Sequence, residues 1–415
     1  MQEHFDALET RKPEEREARL FAALPAQVEH AQQRSPAFAA ILAGVHANRV
    51  NSRGALARLP VTRKQDLLER QQASRPGDSF GGFATVLRGA AMPRLFASPG
   101  TIYEPEGSTR DYWRCGRALY AAGFRAGDLV HNCFSYHFTP GAFMMESGAH
   151  AVGCTVFPAG TGQTEQQLQA IAELRPDAYL GTPSFLRILV EKAAEAGSDI
   201  GSLKKALTGA EALPPSLRDW FRERGLDVYQ SYATADLGLI AYETPSRQGM
   251  VVDEGVIVEI VRPGTGDPVA PGEVGEVVVT TLNPVYPLIR FGTGDLSAVL
   301  EGTDPTGRTN LRIRGWLGRA DQTTKIRGMF VHPGQVAAIV GRFPEILKAR
   351  VVVSGGMAND VMTLKVEAVS APQGLDARIV EAVRDVTKLR AEVELLPPGS
   401  LPNDGKVIED ARNYS

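Results

Sequence analysis

Cysteine is scarce in this chain: Cys115, Cys133 and Cys154 lie far apart and show no Cys-x-x-Cys spacing. An odd, scattered set builds neither a disulfide framework nor a zinc cluster, so buried reduced thiols are expected. Apolar runs long enough to span a bilayer are missing. The stretch Met1 to Leu20 alternates acidic and basic residues (Arg11-Lys12-Pro13-Glu14-Glu15-Arg16) and lacks the apolar core of a signal peptide, which points to a cytoplasmic protein. There is no dense basic tract, and the formal net charge is -3, so the electrostatic basis for nucleic-acid or anionic-membrane binding is absent. Internal repeats and low-complexity segments are also lacking. What remains is a chain of 415 residues with ordinary globular proportions, suited to two domains and to a small-molecule partner.

The fold class reads as α/β. Residues 3 to 45 are expected to be helical, with Leu20, Phe21, Leu24, Val28 and Ala31 on one face. From Asp128 short β-rich runs alternate with helical ones, the pattern of βαβ units on a parallel sheet. Strands are expected at 129–134, 154–157, 178–180, 204–208 and 227–231. Between them come helices at 140–152, from Thr164 to Pro176, 183–196 and 214–224. Thr164-Glu165-Gln166-Gln167 has capping-box form. Beyond Gly249 hairpin chemistry predicts a small antiparallel β subdomain over 256–281. After about Asp321 the order helix, strand, strand, helix, strand describes a separate α+β unit. The expected boundary divides 1–320 from 321–415.

In open parallel sheets ligands sit at the carboxyl ends of the strands, which directs attention to the residues after each strand. Six segments qualify as carriers of chemistry. Ser98 to Thr109 is rich in glycine and hydroxyls and can present amides to phosphate, yet it has no lysine and holds Glu104 and Glu106; an ordinary turn fits as well. Gly209-Ala210-Glu211 lets a flat ring approach the backbone, or is a plain βα turn. Tyr232-Ala233-Thr234-Ala235-Asp236 offers an aromatic face, a hydroxyl and a carboxylate suited to a nucleotide with magnesium, or is a solvated loop. Asp295, behind Gly292-Thr293-Gly294, offers two coplanar acceptors for ribose hydroxyls, or stabilises a turn. Gly318-Arg319-Ala320-Asp321 stands where a hinge would be. Lys406 follows Gly405 near the end and is either a chemical group or a solvated lysine.

Taken in order, the last five segments resemble the adenylate-forming superfamily, and most closely the phenylacetate-coenzyme A ligase family. The likeness runs from Phe5-Asp6-Ala7-Leu8-Glu9-Thr10 and Leu59-Pro60-Val61-Thr62-Arg63-Lys64 to Gly405-Lys406. The resemblance implies a large adenylation domain, with parallel sheets, helices and a small β subdomain, and a mobile α+β lid at the carboxyl end. It implies ATP, Mg2+ and coenzyme A as cofactors and a small carboxylic acid as substrate. Gly209, Ala210, Glu211, Tyr232 and Ala233 would enclose adenine; Asp295 and Arg319 would hold ribose; Asp236 would hold magnesium. Lys406 would serve adenylation, Asp321 would be the hinge, and Gly328 would border the coenzyme A channel. Tyr136, His137, Phe138 and Gly181 would form the acyl pocket, for an aryl, arylacetic or short branched acid. A homodimer is compatible with the family.

The sequence departs from the family at one place above all. Where the phosphate loop of the family ends in glycine and lysine, this chain has Tyr103 and Glu104. Two other readings accommodate that change: an ATP-independent acyltransferase on the same fold, and a non-catalytic nucleotide-binding regulator.

Overall fold

Proline at the first turn starts the helix Pro13–Arg34, and a stripe at helical spacing drives it inward: Leu24, Val28 and Ala31 are fully buried. Its partners are the strands Val256–Val261 and Gly275–Thr281, through Ile257, Val258 and Val279. Arg16 fixes the amino-terminal segment from within, since its Nε lies 2.9 Å from Glu254 with both side chains buried. The computed structural model describes residues 3–98, 101–322, 324–326, 329–355, 360–402 and 406–412. The chain divides into two compact units. One comprises Met1–Thr293 with Ser297–Trp316; the other comprises Gly294–Leu296 with Leu317–Ser415.

In the larger unit a nine-stranded sheet runs in the spatial order Thr155–Phe157, Leu129–Asn132, Ala178–Gly181, Lys205–Thr208, Asp227–Thr234, Gly238–Glu243, Met250–Val252, Arg312–Ile313 and Val299–Leu300. The first five strands are parallel and the remaining pairings antiparallel. Alternation along the parallel strands feeds two cores. Val130, Leu180, Leu207 and Tyr229 join the helix Gly141–Val152 on one face; Tyr179, Ala206 and Val228 join the helices Thr164–Leu174, Pro183–Ala196 and Pro215–Arg222 on the other. A second sheet orders Thr62–Arg63, Phe291–Ser297, Gly275–Thr281 and Val256–Val261.

Helices Gly116–Ala121 and Gly141–Val152 touch closely because Gly148 has no side chain: a Cβ there would lie 2.7 Å from Cys115 Cβ and 2.9 Å from its carbonyl carbon. Overpacking of this kind costs about 1–3 kcal/mol, against up to about 1 kcal/mol gained in helix propensity. Gly148→Ala is therefore expected to lower stability by about 1–2 kcal/mol in a urea titration.

The helix at Thr164–Leu174 forms, but the expected capping box does not. Gln163 caps it in a left-handed conformation, and the Gln167 side chain turns inward. There its Nε2 donates to the carbonyls of Gly160 and Gly162, and its Oε1 meets His131 at 2.7 Å and Cys133 Sγ at 3.1 Å. Burial lowers the His131 pKa, so its neutral form is favoured.

The smaller unit has its own core. Strands Ile346–Ser354 and Val361–Ala368 pair antiparallel, flanked in parallel by Ile408–Asp410 and Glu392–Leu396. Val351, Val353, Leu364 and Val366 pack there with Ile379 and Val383 of the helix Leu375–Thr387.

Candidate active site

A cavity of about 460 Å³ opens in the larger unit at the carboxyl ends of its parallel strands. Each parallel strand contributes to it: Thr161 lies beyond Thr155–Phe157, Cys133 and Phe134 follow Leu129–Asn132, Thr182 follows Ala178–Gly181, Gly209 and Ala210 follow Lys205–Thr208, and Ser231 and Ala233 lie on Asp227–Thr234. Parallel strands end together, so their last residues converge on one opening. At position 209 a Cβ would come within 3.3 Å of Ser231 Oγ, so the backbone lies close to that hydroxyl. Ala210 has a φ of 63°, a left-handed backbone that costs a non-glycine residue about 1–2 kcal/mol and is held by its surroundings. Glu211 is exposed; its Oε2 accepts from the Ser184 amide at 3.3 Å and braces the turn against the helix Pro183–Ala196.

Tyr232 departs from the expected placing. It is buried in the cluster of Leu237 and Ile240, and it does not line the cavity, whereas Ser231 and Ala233 do. Side chains alternate along the strand, so Ser231 and Ala233 face the cavity and Tyr232 between them faces the apolar cluster.

One wall is apolar: Phe134, Pro140, Met144, Met145 and Phe185. The four residues expected to form the acyl pocket stand beside this wall rather than in it. The Tyr136 hydroxyl donates to Glu146 at 2.7 Å and accepts from Asn132 at 2.9 Å, which consumes its polar capacity. His137 is exposed and Phe138 is 83% exposed, because the chain turns outward at Phe138 with a φ of 59°. Gly181 is buried where a Cβ would meet the Tyr179 ring.

The polar corner is built by three charged residues. The segment Ser98 to Thr109 contains a hairpin, Arg94–Ser98 with Ile102–Glu106, in place of an open loop. Glu104 points inward, where Ser98 donates to it twice, from Oγ at 2.5 Å and from its amide at 3.2 Å. Burial first, and then the negative charge of Asp236, push the Glu104 pKa up to about 8 against the pull of Ser98 and Lys64. Lys64 Nζ lies 3.1 Å from Asp236 Oδ2, while Asp236 Oδ1 is buried and has no hydrogen-bond partner among the described residues. In the sequence Lys64 is part of a family-like stretch, and Glu104 stands where the family's phosphate loop has lysine. Neither the depth of Glu104 nor its approach to Asp236 has a local signature.

In the smaller unit Asp295 and Arg319 are brought together, with Nη1 3.1 Å from Oδ1 and a backbone bridge between the two residues. Gly294 permits this approach: it has a φ of 73°, and a Cβ would meet the Arg319 guanidinium at 2.7 Å. Asp321 lies in the short turn Ala320–Gln322. Lys406 is exposed and directly precedes Val407, whose amide donates to Gln322 Oε1 at 2.9 Å. Gly328 lies outside the described residues.

Residues 108–283 match the family model of the AMP-binding enzymes. A phenylacetate-coenzyme A ligase of Thermus thermophilus is 33% identical over 385 residues, covering 84% of this chain and 84% of its own. The chain belongs to the phenylacetate-coenzyme A ligase family. The Escherichia coli phenylacetate-coenzyme A ligase is 32% identical over 82% of this chain and 80% of its own length. Among solved structures, an open conformation of 2-hydroxyisobutyryl-CoA ligase in complex with 2-HIB-AMP and CoA aligns with a TM-score of 0.83 at 25% identity, over 97% of this chain and 93% of that one. The fold is thus that of an adenylate-forming ligase, a mixed α/β large unit with a smaller α+β unit. Gly209 and Ala210 line the cavity of this ligase, and Lys64 is the charged side chain among its described lining residues. Among the described residues no helix is long and apolar enough to cross a membrane.

Proposed function

We propose that this ligase activates a small carboxylic acid with an apolar side chain, forming an acyl-adenylate from ATP and then a thioester with coenzyme A. The observation that carries this reading is the cavity itself: a glycine turn at the end of a parallel strand faces a wall of Phe134, Met144, Met145 and Phe185. The first part suits a purine plane lying against backbone, the second a hydrocarbon or aryl group. The Tyr136 hydroxyl is committed and His137 lies outside, so the polar side chains this stretch gives the cavity are Ser135 and Thr139. Phenylacetic, benzoic and short branched acids are the candidate substrates.

In the first half-reaction an oxygen of the acid attacks the α-phosphorus, the bond to the bridging oxygen breaks, and pyrophosphate leaves. In the second, the thiol sulfur of coenzyme A attacks the acyl carbon, the acyl-phosphate C–O bond breaks, and AMP leaves with the thiol proton passed to solvent. Gly209, Ala210 and Ala233 would lie against adenine, and Asp295 with Arg319 would take the ribose hydroxyls. Lys406 would stabilise the negative charge that develops at the α-phosphate. Asp321 would be the hinge of a mobile carboxyl-terminal domain, 321–415, against the adenylation domain 1–320. Magnesium would neutralise phosphate charge. The residues present fit it, because Asp236 Oδ1 is a buried oxygen without a partner among the described residues and Glu104 supplies a second carboxylate nearby.

The test is mass spectrometry after mixing the protein with ATP, Mg2+ and a carboxylic acid library, with and without coenzyme A. Acyl-adenylates of apolar acids, converted to thioesters when coenzyme A is added, are expected. Thioester exchange that needs no ATP would replace this reading by the acyltransferase, and nucleotide binding with no product by the regulator.

A further inference from the structure

Lys64 is the first residue of the helix Lys64–Ser74, and its ammonium is held at the cavity by Asp236 at 3.1 Å. The two ends of this pair differ in exposure: the lysine side chain is 41% exposed and the carboxylate 1%. An ammonium carries three N–H donors. One is used by Asp236, and the other two meet no acceptor among the described residues. Among the described residues that line the cavity, Lys64 bears the only formal charge. The same helix grips the hairpin that lost its lysine, since Gln71 accepts from the Tyr103 amide at 2.8 Å and donates to the Tyr103 carbonyl at 2.9 Å. Glu104, next in sequence, is turned away into Ser98. The buried carboxylate thus holds a half-exposed ammonium at the cavity.

We propose that Lys64 is the phosphate-binding cation of the larger unit, taking the part of the loop lysine that Glu104 has displaced. The ligand class is a di- or triphosphate, the chain of ATP or the departing pyrophosphate. Asp236 orients the ammonium. This inference rests on the nucleotide reading above, but it makes a separate claim about one side chain.

The experiment is titration calorimetry with inorganic pyrophosphate and with ATP, on the full chain, for the wild type, Lys64→Met and the double variant Lys64→Met with Glu104→Lys. Lys64→Met is expected to weaken pyrophosphate binding about 10- to 100-fold, the loss of a charge-assisted hydrogen bond to an anion. Glu104→Lys in the same chain is expected to restore most of it, because the ammonium returns to the loop. Should Lys64→Met unfold by stranding Asp236, the comparison moves to Asp236→Asn with and without Lys64→Met, where the stranded charge is gone and the same loss is expected. Unchanged pyrophosphate binding on removing the ammonium, or no binding by the wild type, overturns the inference. A wild type that binds pyrophosphate through Lys64 but forms no acyl-adenylate overturns the ligase reading and leaves this one standing. Acyl-adenylate formation with a Lys64-independent pyrophosphate affinity does the reverse.

Discussion

Lys406→Ala is expected to slow acyl-adenylate formation by about 10²- to 10³-fold, the cost of removing one group aimed at developing transition-state charge. Thioester formation from supplied acyl-adenylate is expected to be nearly unaffected. The two half-reactions differ in what they ask of an ammonium. In the first, negative charge builds on the phosphorus-bound oxygens as a carboxylate approaches a polyanion; in the second, a thiolate displaces AMP and no pyrophosphate departs. Lys406 is exposed at the entry to the edge strand Ile408–Asp410, anchored by the Val407 amide on Gln322 and the Val407 carbonyl on the Val351 amide. Its removal therefore leaves the core of the smaller unit intact, and a catalytic loss will not be a folding loss. ATP–pyrophosphate exchange measures the first half, and single-turnover thioester formation the second. Equal losses in both halves would show that Lys406 acts through structure.

The sequence was most informative where local chemistry and tertiary placing agree. Helices behind Thr182-Pro183 and in the stretch 13–34 form as their proline starts and apolar stripes dictate, and the parallel strands lie within one to three residues of the expected bounds. The glycine turn at 209 was legible because it follows a strand. Asp295 was expected at a glycine turn and lies within the strand Phe291–Ser297, where Gly294 allows Arg319 to approach it. Side-chain direction was less accessible. Tyr232 was expected at the ligand and is buried among Leu237 and Ile240, because strand alternation gives the cavity Ser231 and Ala233 and turns the residue between them away. Tyr136, His137 and Phe138 have the polarity of a pocket, but the outward turn at Phe138 removes them. Gln167 read as a capping residue and instead satisfies His131, 36 positions away. The Lys64–Asp236 pair spans 172 positions, and no window of sequence contains both partners.

Glu104→Gln is expected to remove a pH dependence of stability that the wild type shows between about pH 4.5 and 8. In the folded protein the Glu104 pKa stands at about 8, raised first by burial and then by Asp236, from an ordinary value of 4.5. Across that interval the native state holds a proton that the unfolded chain has released. Stability from this group is complete below about pH 4.5 and is lost as the pH rises through 8, by up to about 4 kcal/mol. Glutamine keeps the size and neutrality of the protonated side chain, and its one carbonyl oxygen accepts one of the two Ser98 hydrogen bonds. The variant is expected to match the wild type near pH 5 and to exceed it by a few kcal/mol near pH 8, in urea titrations carried out with a chelator present. Removing divalent ions matters, because a cation at Asp236 would draw the proton from Glu104 and hide the slope. A wild type with flat stability across the interval would mean that Glu104 is ionised at neutral pH. Lys64 would then be shared between two carboxylates, and an incoming phosphate would meet net negative charge at the hairpin.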